Sequence, residues 1–524
     1  MASRKTHRTV IDRSDGWIAL GLGVLSLALY VRTLVPGLLP SDGGEFQTLA
    51  YVLGHAHTTG YEVYTLLAKL FTLLVPLGDI AYRVNLLSAV YAGLTIAFVY
   101  LASRVLSRNR VAGLLAALAL AISATFWSQS IIAEVYTAGT AFTSAILLLV
   151  LLWYETGKVG FLFVAGALGG LGIGVHGSNS LFAPAILVLL LTRFHDLRRT
   201  WKPALGGVLL GVALMVAAFA LVDAQPTQAS VIHSVYQPSI SRWDLQPADL
   251  DSFGGRFRFL VFAQQWRSTM FVDPATVMPE NFHTLRTFLE QDFALPILAL
   301  IPLGLLSLFL RDWRLGLFFV VALAVHSLYT LNYRIGDIYV FFLSLYVYLI
   351  PLVAGGAALL LRALARLPGS WAKIAPAGLA LLLLVFSTAP FVPQRIEALK
   401  AGELRFQFMG LPTNQELADW HKMISFNVEG LDQNAIVLMD WPDLYGYYYV
   451  AQVEQGRDDL LFLETYPYAM KQGMADTLIS FLKEAIQKGR PVLAVRRYDE
   501  LQRGGLRLLP RPVGITDMYS VKVR

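Results

Sequence analysis

The sequence predicts a polytopic α-helical membrane protein with a small C-terminal α/β domain. Three observations predict it. Of 524 residues, 56% are hydrophobic and 15% charged, whereas a soluble domain carries about 25% charged residues. The apolar residues gather into about 11 segments near the roughly 20-residue length of a bilayer core. The cations fall between those segments, mostly in alternate connections, as they do where loops stay on the cytoplasmic side. The net charge of +6 is therefore a topology signal and not a nucleic-acid one. The chain has no cysteine, which excludes disulfides, thiolate metal sites and cysteine nucleophiles.

The spans are expected at 16–36, 82–104, 110–126, 132–154, 160–176, 178–193, 203–223, 293–310, 315–331, 338–361 and 373–391. The basic N-terminus leads into Trp17 to Val35, a run of spanning length with no small-residue cleavage site after it, so it reads as a retained first helix. With the N-terminus cytoplasmic, the inside connections carry Arg4, Lys5, Arg8 and Arg13, then Arg104, Arg108 and Arg110, then Lys158. Further along they carry Arg193, Arg198, Arg199 and Lys202, then Arg311 and Arg314, then Arg362, Arg366 and Lys373. The short outside connections at 127–131 and near 177 carry none, and 332–337 carries only Arg334.

Three longer pieces share the outer side. The first, 37–81, is expected to hold interfacial helices near 44–54 and 60–76. The second is the loop 224–292. The third is the tail 393–524, which changes character. Its short apolar runs at 435–439, 460–463 and 492–495 have strand length and alternate with helical stretches at 443–455 and 474–488. That alternation predicts a parallel sheet. The domains are thus 1–392, membrane-embedded, and 393–524, extracytoplasmic.

The richest stretch is 41–62, directly after the first span. It holds Asp42, Glu45, His55 and His57. Acidic groups at a bilayer edge commonly serve a substrate, a proton or an ion. The i, i+3 spacing puts Asp42 and Glu45 on one side of a helical turn. Two readings fit. In one, Asp42 is a general base that deprotonates a hydroxyl, with Glu45 beside it. In the other, the pair forms a capping box opening the helix over Phe46 to Leu53. The two histidines lack the i, i+4 spacing of shared ligation on a helix, so a polar turn between Gly54 and Gly60 is favoured over a metal site.

Other outer residues carry similar alternatives. Glu134 and Tyr136 sit at the head of a span, facing either a cavity or the headgroups. His176 would reach a phosphate or a sugar hydroxyl, or serve structure alone. The Gly172-x-Gly-x-x-Gly177 string lies in a membrane helix, where small residues serve packing. Arg334 suits a lipid-linked phosphate, since a guanidinium pairs phosphate bidentately; its alternative is headgroup anchoring with Asp337. Arg256, Arg258 and Arg267 are further phosphate candidates. In the tail, Met439-Asp440-Trp-Pro-Asp443 follows a strand, at the carboxyl end where such sheets bind ligands; sugar or acceptor binding is one reading, and without a Gly-rich loop a structural cap is favoured.

Asp42-Gly-Gly-Glu45-Phe46 followed by Gly54-His-Ala-His57-Thr-Thr-Gly60-Tyr61-Glu-Val-Tyr64 resembles the GT-C membrane glycosyltransferases, in the bacterial protein O-mannosyltransferase-like branch. There the pattern runs Asp-Ser-Gly-Glu-Phe, then Gly-Val-Ala-His-Pro-Pro-Gly-Tyr-Pro-Leu-Tyr. Gly78-Asp-Ile-Ala-Tyr-Arg83-Val-Asn85-Leu-Leu-Ser88, Phe126-Trp127-Ser-Gln129 through Glu134-Val-Tyr136, His176 and Asn332-Tyr-Arg-Ile-Gly-Asp337 are also similar. The likeness covers about residues 16 to 340. Thr58-Thr59 and Glu62 depart from it, losing prolines that would stiffen the turn.

The resemblance implies a polyprenyl-phosphate sugar donor, an outward-facing site and inverting transfer, with mannose the first guess. It implies Asp42 as the general base with Glu45 next to it. His57, Tyr61, Trp127, Gln129, Glu134, Tyr136, His176, Asn332, Arg334 and Asp337 would line the substrate, with Arg256 and Arg258 as phosphate candidates. No metal site is expected, although a divalent ion is compatible with the class. The partners are a lipid-linked sugar, a hydroxyl acceptor on protein, lipid or glycan, and the bilayer of a cytoplasmic membrane. The rival functions are a transporter or lipid flippase, and a non-catalytic cell-envelope assembly protein.

Overall fold

The computed structural model describes residues 10–469 and 471–524. The basic residues Arg4, Lys5 and Arg8 lie outside them. The first half contains helices α1 (Arg13–Arg32), α2 (Ser41–Val52), α3 (Glu62–Leu74), α4 (Ile80–Ser107), α5 (Arg110–Ala121), α6 (Ala124–Gln129), α7 (Tyr136–Thr156), α8 (Gly160–Gly172), α9 (Ala183–Thr192) and α10 (Phe194–Asp223). The second half continues with α11 (Phe253–Val261), α12 (Pro274–Asp292), α13 (Leu295–Arg311), α14 (Trp313–Leu331), α15 (Phe342–Leu364), α16 (Trp371–Thr388) and α17 (Val392–Ala401).

The chain is a multi-pass membrane protein. Among the described residues, 7 helices are long and apolar enough to cross a membrane, and α12 with α13, bent by 112°, raises this to 8. The apolar regions at 110–121, 160–172 and 177–192 are helical but shorter. The expected count of spans is therefore corrected. At 1.5 Å per residue, the 12-residue α5 is about 18 Å long, well short of a bilayer core. The apolar run 110–126 breaks at Ser123, where the Thr125 N–H donates to the buried carboxylate of Asp292 at 2.9 Å. An apolar window does not register such a break.

Several of the cations expected on the inside gather at one end of the bundle. Buried Asp15 accepts from Arg104 at 3.1 Å and Arg110 at 2.8 Å, and Glu155 pairs with Arg108 and Arg311. α1 runs from this end to the segment that leads into α2 and Asp42, about 30 Å away at helical rise. Between these ends, α8 and α10 pack backbone against backbone. A Cβ on Gly207 would lie 2.0 Å from the Phe163 carbonyl oxygen, and one on Gly211 would lie 2.1 Å from that of Ala167. Small residues allow this approach where lipid supplies no hydrophobic drive between helices.

The tail comprises α18 (Asn414–Glu429), β1 (Ile436–Met439), α19 (Trp441–Tyr448), β2 (Leu461–Glu464), α20 (Asp476–Gln487), β3 (Val492–Ala494), α21 (Asp499–Arg503), β4 (Leu506–Val513) and β5 (Thr516–Val523). The sheet order is β2-β1-β3-β5-β4. The first three strands are parallel, with Ile436 opposite Leu461 and Val492. β5 joins β3 antiparallel and turns back on β4 as a hairpin. The expectation of a parallel sheet holds for β1 to β3 and is corrected at the hairpin. β4 and β5 alternate apolar with charged or proline residues instead of forming an apolar run. Buried residues of the tail, Met439, Leu444 and Tyr445 among them, share one core with Leu39, Phe46, Leu49 and Tyr61 near Asp42.

Candidate functional site

Asp42 stands in the first turn of α2, where a carboxylate meets the unpaired amides and positive end of the helix. The capping-box reading is corrected. The N-cap is Pro40, with no side-chain cap bond, and the Glu45 carboxylate turns to the loop instead. It accepts from the His57 backbone N–H at 2.8 Å and faces His57 Nδ1 at 2.5 Å. Asp42 Oδ2 lies 3.8 Å from His57 Nε2. The i, i+3 spacing thus places two carboxylates astride one imidazole. Burial opposes charge on that imidazole. The charges of Glu45 and Asp42 outweigh it and lift His57 to about 10, so the ring is an imidazolium at neutral pH.

His55 faces the other way. Its Nδ1 lies 3.2 Å from Glu62 and its Nε2 2.9 Å from Asp223. Asp223 also takes both Arg256 Nε at 2.6 Å and Nη2 at 2.7 Å. Burial opposes the charge of His55, and its bonds to Asp223 and Glu62 outweigh it, raising its pKa.

The loop between the histidines and Tyr61 lacks the prolines of the resembled pattern and is fixed by hydrogen bonds. The Thr58–Thr59 peptide is cis. The Thr58 N–H donates to the Tyr236 hydroxyl at 3.1 Å, its hydroxyl donates to Gln265 Oε1 at 3.1 Å, and its carbonyl accepts from Trp266 Nε1 at 3.2 Å. A second clamp holds the extended segment before Asp42. Gln47 accepts from the Leu39 N–H at 2.9 Å and donates to Asn85 Oδ1 at 2.9 Å, while Asn85 donates to the Val35 carbonyl at 2.9 Å.

These elements surround a cavity of about 830 Å³, lined by Asp42, His57, Tyr61, Gln129, Glu134, Tyr136, His176 and Asp337 among the expected residues. Tyr136 and Tyr61 flank His176, with ring centroids 5.4 and 5.9 Å away. Burial, with His57's charge, pushes His176 down to about 4, so it is neutral. Burial lifts Glu134 well above the carboxylate range, with Asp42 and Asp337 adding to it. Burial, with the charge of Asp42, raises Asp337 to about 6.

The other expected residues lie elsewhere. Glu45 is fully buried behind His57. Trp127 is buried and donates to Thr33 Oγ1 at 2.9 Å. Asn332 is buried and donates to the Leu328 carbonyl at 2.7 Å. Arg256 is committed to Asp223, and Arg258 is exposed. Neither arginine lines the cavity. Arg334 is half exposed and lies 3.6 Å from Asp273 instead of pairing with Asp337. Its neighbours Tyr333 and Ile335 line the cavity, which puts Arg334 at the rim. Among the described residues, no three His, Cys, Asp or Glu side chains are grouped to hold a metal ion.

The tail supplies further lining residues: Trp441, in the segment that sequence reading favoured as a cap over a sugar or acceptor site, and Glu464, Tyr466 and Tyr468, which it missed. Trp441 Nε1 donates to Asp42 Oδ1 at 2.7 Å. Burial lifts Glu464 to about 8 against the pull of Arg242. The available signal was position, since carboxyl ends of parallel strands are where such sheets meet ligands. Asp440 does not cap α19 through its side chain; it pairs with Arg496 at 2.8 Å.

The same fold occurs in the crystal structure of ArnT from Cupriavidus metallidurans bound to undecaprenyl phosphate. The TM-score is 0.58 at 14% identity, covering 97% of this chain and 98% of that one. The fold is GT-C. The apo oligosaccharyltransferase of Archaeoglobus fulgidus aligns with TM-score 0.50 at 14% identity, over 91% of this chain and 69% of that one. Residues 42–199 of this GT-C protein match the model of the TMEM260 protein O-mannosyl-transferase N-terminal domain. The mouse protein O-mannosyl-transferase TMEM260 is 36% identical over 128 residues, and the Dictyostelium discoideum one 28% identical over 133. These matches span 24% and 25% of this chain, and 18% and 16% of the relatives' own lengths. The protein is thus O-mannosyltransferase-like in the part that carries Asp42, Glu45 and His57.

Proposed function

We propose that this protein is an inverting glycosyltransferase that moves a sugar, mannose first, from a polyprenyl-phosphate carrier to a hydroxyl acceptor. The observation that carries the reading is the cavity with Asp42 at its edge, half open to it and fixed by partners on both sides. Asp42 takes the proton of the acceptor hydroxyl as its oxygen bonds the anomeric carbon. The carbon–oxygen bond to phosphate breaks, its electron pair leaves with the phosphate, and the configuration inverts. Proximity and orientation supply much of the acceleration in such a step.

Among the described residues, the lining includes neither lysine nor arginine, so the charge leaving with the phosphate is met by the His57 imidazolium and, at the rim, by Arg334. Neutral Glu134 and Glu464 offer hydroxyl donors to a sugar. ArnT, of the same fold, was crystallised with undecaprenyl phosphate, which supports a polyprenyl-phosphate donor here. The cation-rich end of the bundle supports a cytoplasmic N-terminus, an outward cavity in a cytoplasmic membrane and an extracytoplasmic module at 393–524.

The test is donor cleavage by the purified protein across a panel of polyprenyl-phosphate sugars, read by mass spectrometry beside Asp42→Asn. Cleavage of one donor, lost in the variant, is expected and names the sugar. Absence of both binding and cleavage across the panel would sink the reading in favour of a transporter or an assembly factor.

A further inference from the structure

The tail reaches the site through a specific atom pair. Trp441 opens α19 just past the carboxyl end of β1, and its indole Nε1 donates to Asp42 Oδ1 at 2.7 Å. The same ring stands edge-on to His57, with centroids 5.9 Å apart and an interplanar angle of 90°. The other oxygen of Asp42, Oδ2, is the one 3.8 Å from His57 Nε2. The outer torsion of an aspartate is broad and roughly two-fold, and this side chain is 33% exposed. An N–H on one oxygen removes that freedom and sets which oxygen faces the cavity.

The indole itself is held firmly. Thr48 of α2 donates to the Tyr445 carbonyl at 3.1 Å, and the Tyr445 hydroxyl donates to the Ala229 carbonyl at 3.0 Å. The Tyr449 hydroxyl accepts from the Ala81 N–H at the start of α4 at 3.0 Å. α2 and α19 also touch at backbone level, since a Cβ on Gly44 would meet Tyr445 Cβ at 3.5 Å and Gly446 N at 3.6 Å. These bonds tie α19 to α2, α4 and the loop after α10.

We infer, resting on the transferase reading, that Trp441 is a positioning residue for the general base. It holds Asp42 so that Oδ2 takes the acceptor proton, and the α/β tail thereby completes a site whose Asp42, Glu45 and His57 lie near the start of the chain. The bonds made and broken are those of the transfer step. Trp441 contributes geometry, and misplacing a reacting group by about 1 Å can cost about 100-fold in rate.

The test uses the full chain with the donor that the wild type cleaves. Trp441→Phe keeps a ring against His57 and deletes the N–H. It is expected to lower kcat by about 10- to 100-fold with the donor KM nearly unchanged. Trp441→His, which restores a ring N–H, should recover part of that loss. Wild-type kcat in Trp441→Phe would overturn the inference, as would an equal loss in both variants.

A second measurement needs no change at Trp441. In protein labelled with 15N-tryptophan, one indole N–H resonance should move in Asp42→Asn while the others stay in place; indole signals indifferent to Asp42 would overturn the inference. A wild type that cleaves no donor defeats the transferase reading and leaves the indole measurement standing.

Discussion

His55 and His57 stand two residues apart, and the loop turns their rings to opposite sides. His55 enters a sealed cluster with Glu62, Asp223 and Arg256. His57 enters the cavity between Glu45 and Asp42. Flanking carboxylates raise the pKa of both rings, so the direction of the shift does not separate them. Access does. One bridges α3 and α10 where a substrate has no path; the other borders a space large enough for a sugar. Similar pairs of partners thus yield a structural brace in one case and a candidate catalytic group in the other.

Four substitutions break or sharpen that contrast. Asp42→Asn removes the proton acceptor on the cavity side and should lower kcat by about 1,000-fold, within the range for a general base, while thermal unfolding stays near wild type. On the sealed side, His55→Leu strips a partner from Glu62 and Asp223. It should cost about 3 kcal/mol of stability, as removal of one member of a buried pair does, and folded protein should retain most of its kcat. If His55→Leu abolished turnover without loss of stability, the division between brace and catalyst would fail.

His57→Gln should lower kcat by about 100-fold by removing the cation beside the leaving phosphate. It also tests the charge state. His57 is raised from its ordinary 6.5 to about 10, so its contribution to stability is complete below pH 6.5 and is lost as pH rises through about 10. Wild-type stability should therefore fall over that window by up to about 1.4 kcal/mol per pH unit. The His57→Gln curve, followed by thermal unfolding in detergent, should be flatter. The smallest effect belongs to the rim. Arg334→Ala should raise the donor KM about 3- to 10-fold with kcat retained, since an exposed charge pair contributes about 1 kcal/mol or less; an unchanged KM would remove Arg334 from donor binding.

Much of this site was legible in the sequence because its first part is local. Asp42, Glu45, His57 and Tyr61 lie within 20 residues, and helical spacing alone places the two carboxylates together. The GT-C resemblance rested on those same residues. What local spacing leaves open is the direction of each side chain. The capping box and the Asp42–Glu45–His57 bridge use identical residues at identical spacing, and only the path of the loop after Leu53 decides between them. Arg256 shows the same limit, since its exposure and charge suited phosphate until Asp223 claimed it. The tail shows another limit: position at a strand end marked the Trp441 segment, but its contact with Asp42 and the part played by Glu464 depend on docking across the chain, which no periodicity encodes. The short helices at 110–121 and 160–172 were read as spans because an apolar window measures composition and not the breaks within it.

The bond between Trp441 and Asp42 joins residues 399 positions apart. During synthesis, α1 to α10 exist as finished helices long before α19 has been made. A nascent chain would hold its acidic groups and much of its cavity wall while the indole that steadies Asp42 is still unmade. If the site works as proposed, competence arrives late, with the docking of the last quarter of the polypeptide, so a partly synthesised copy would sit in the membrane inactive.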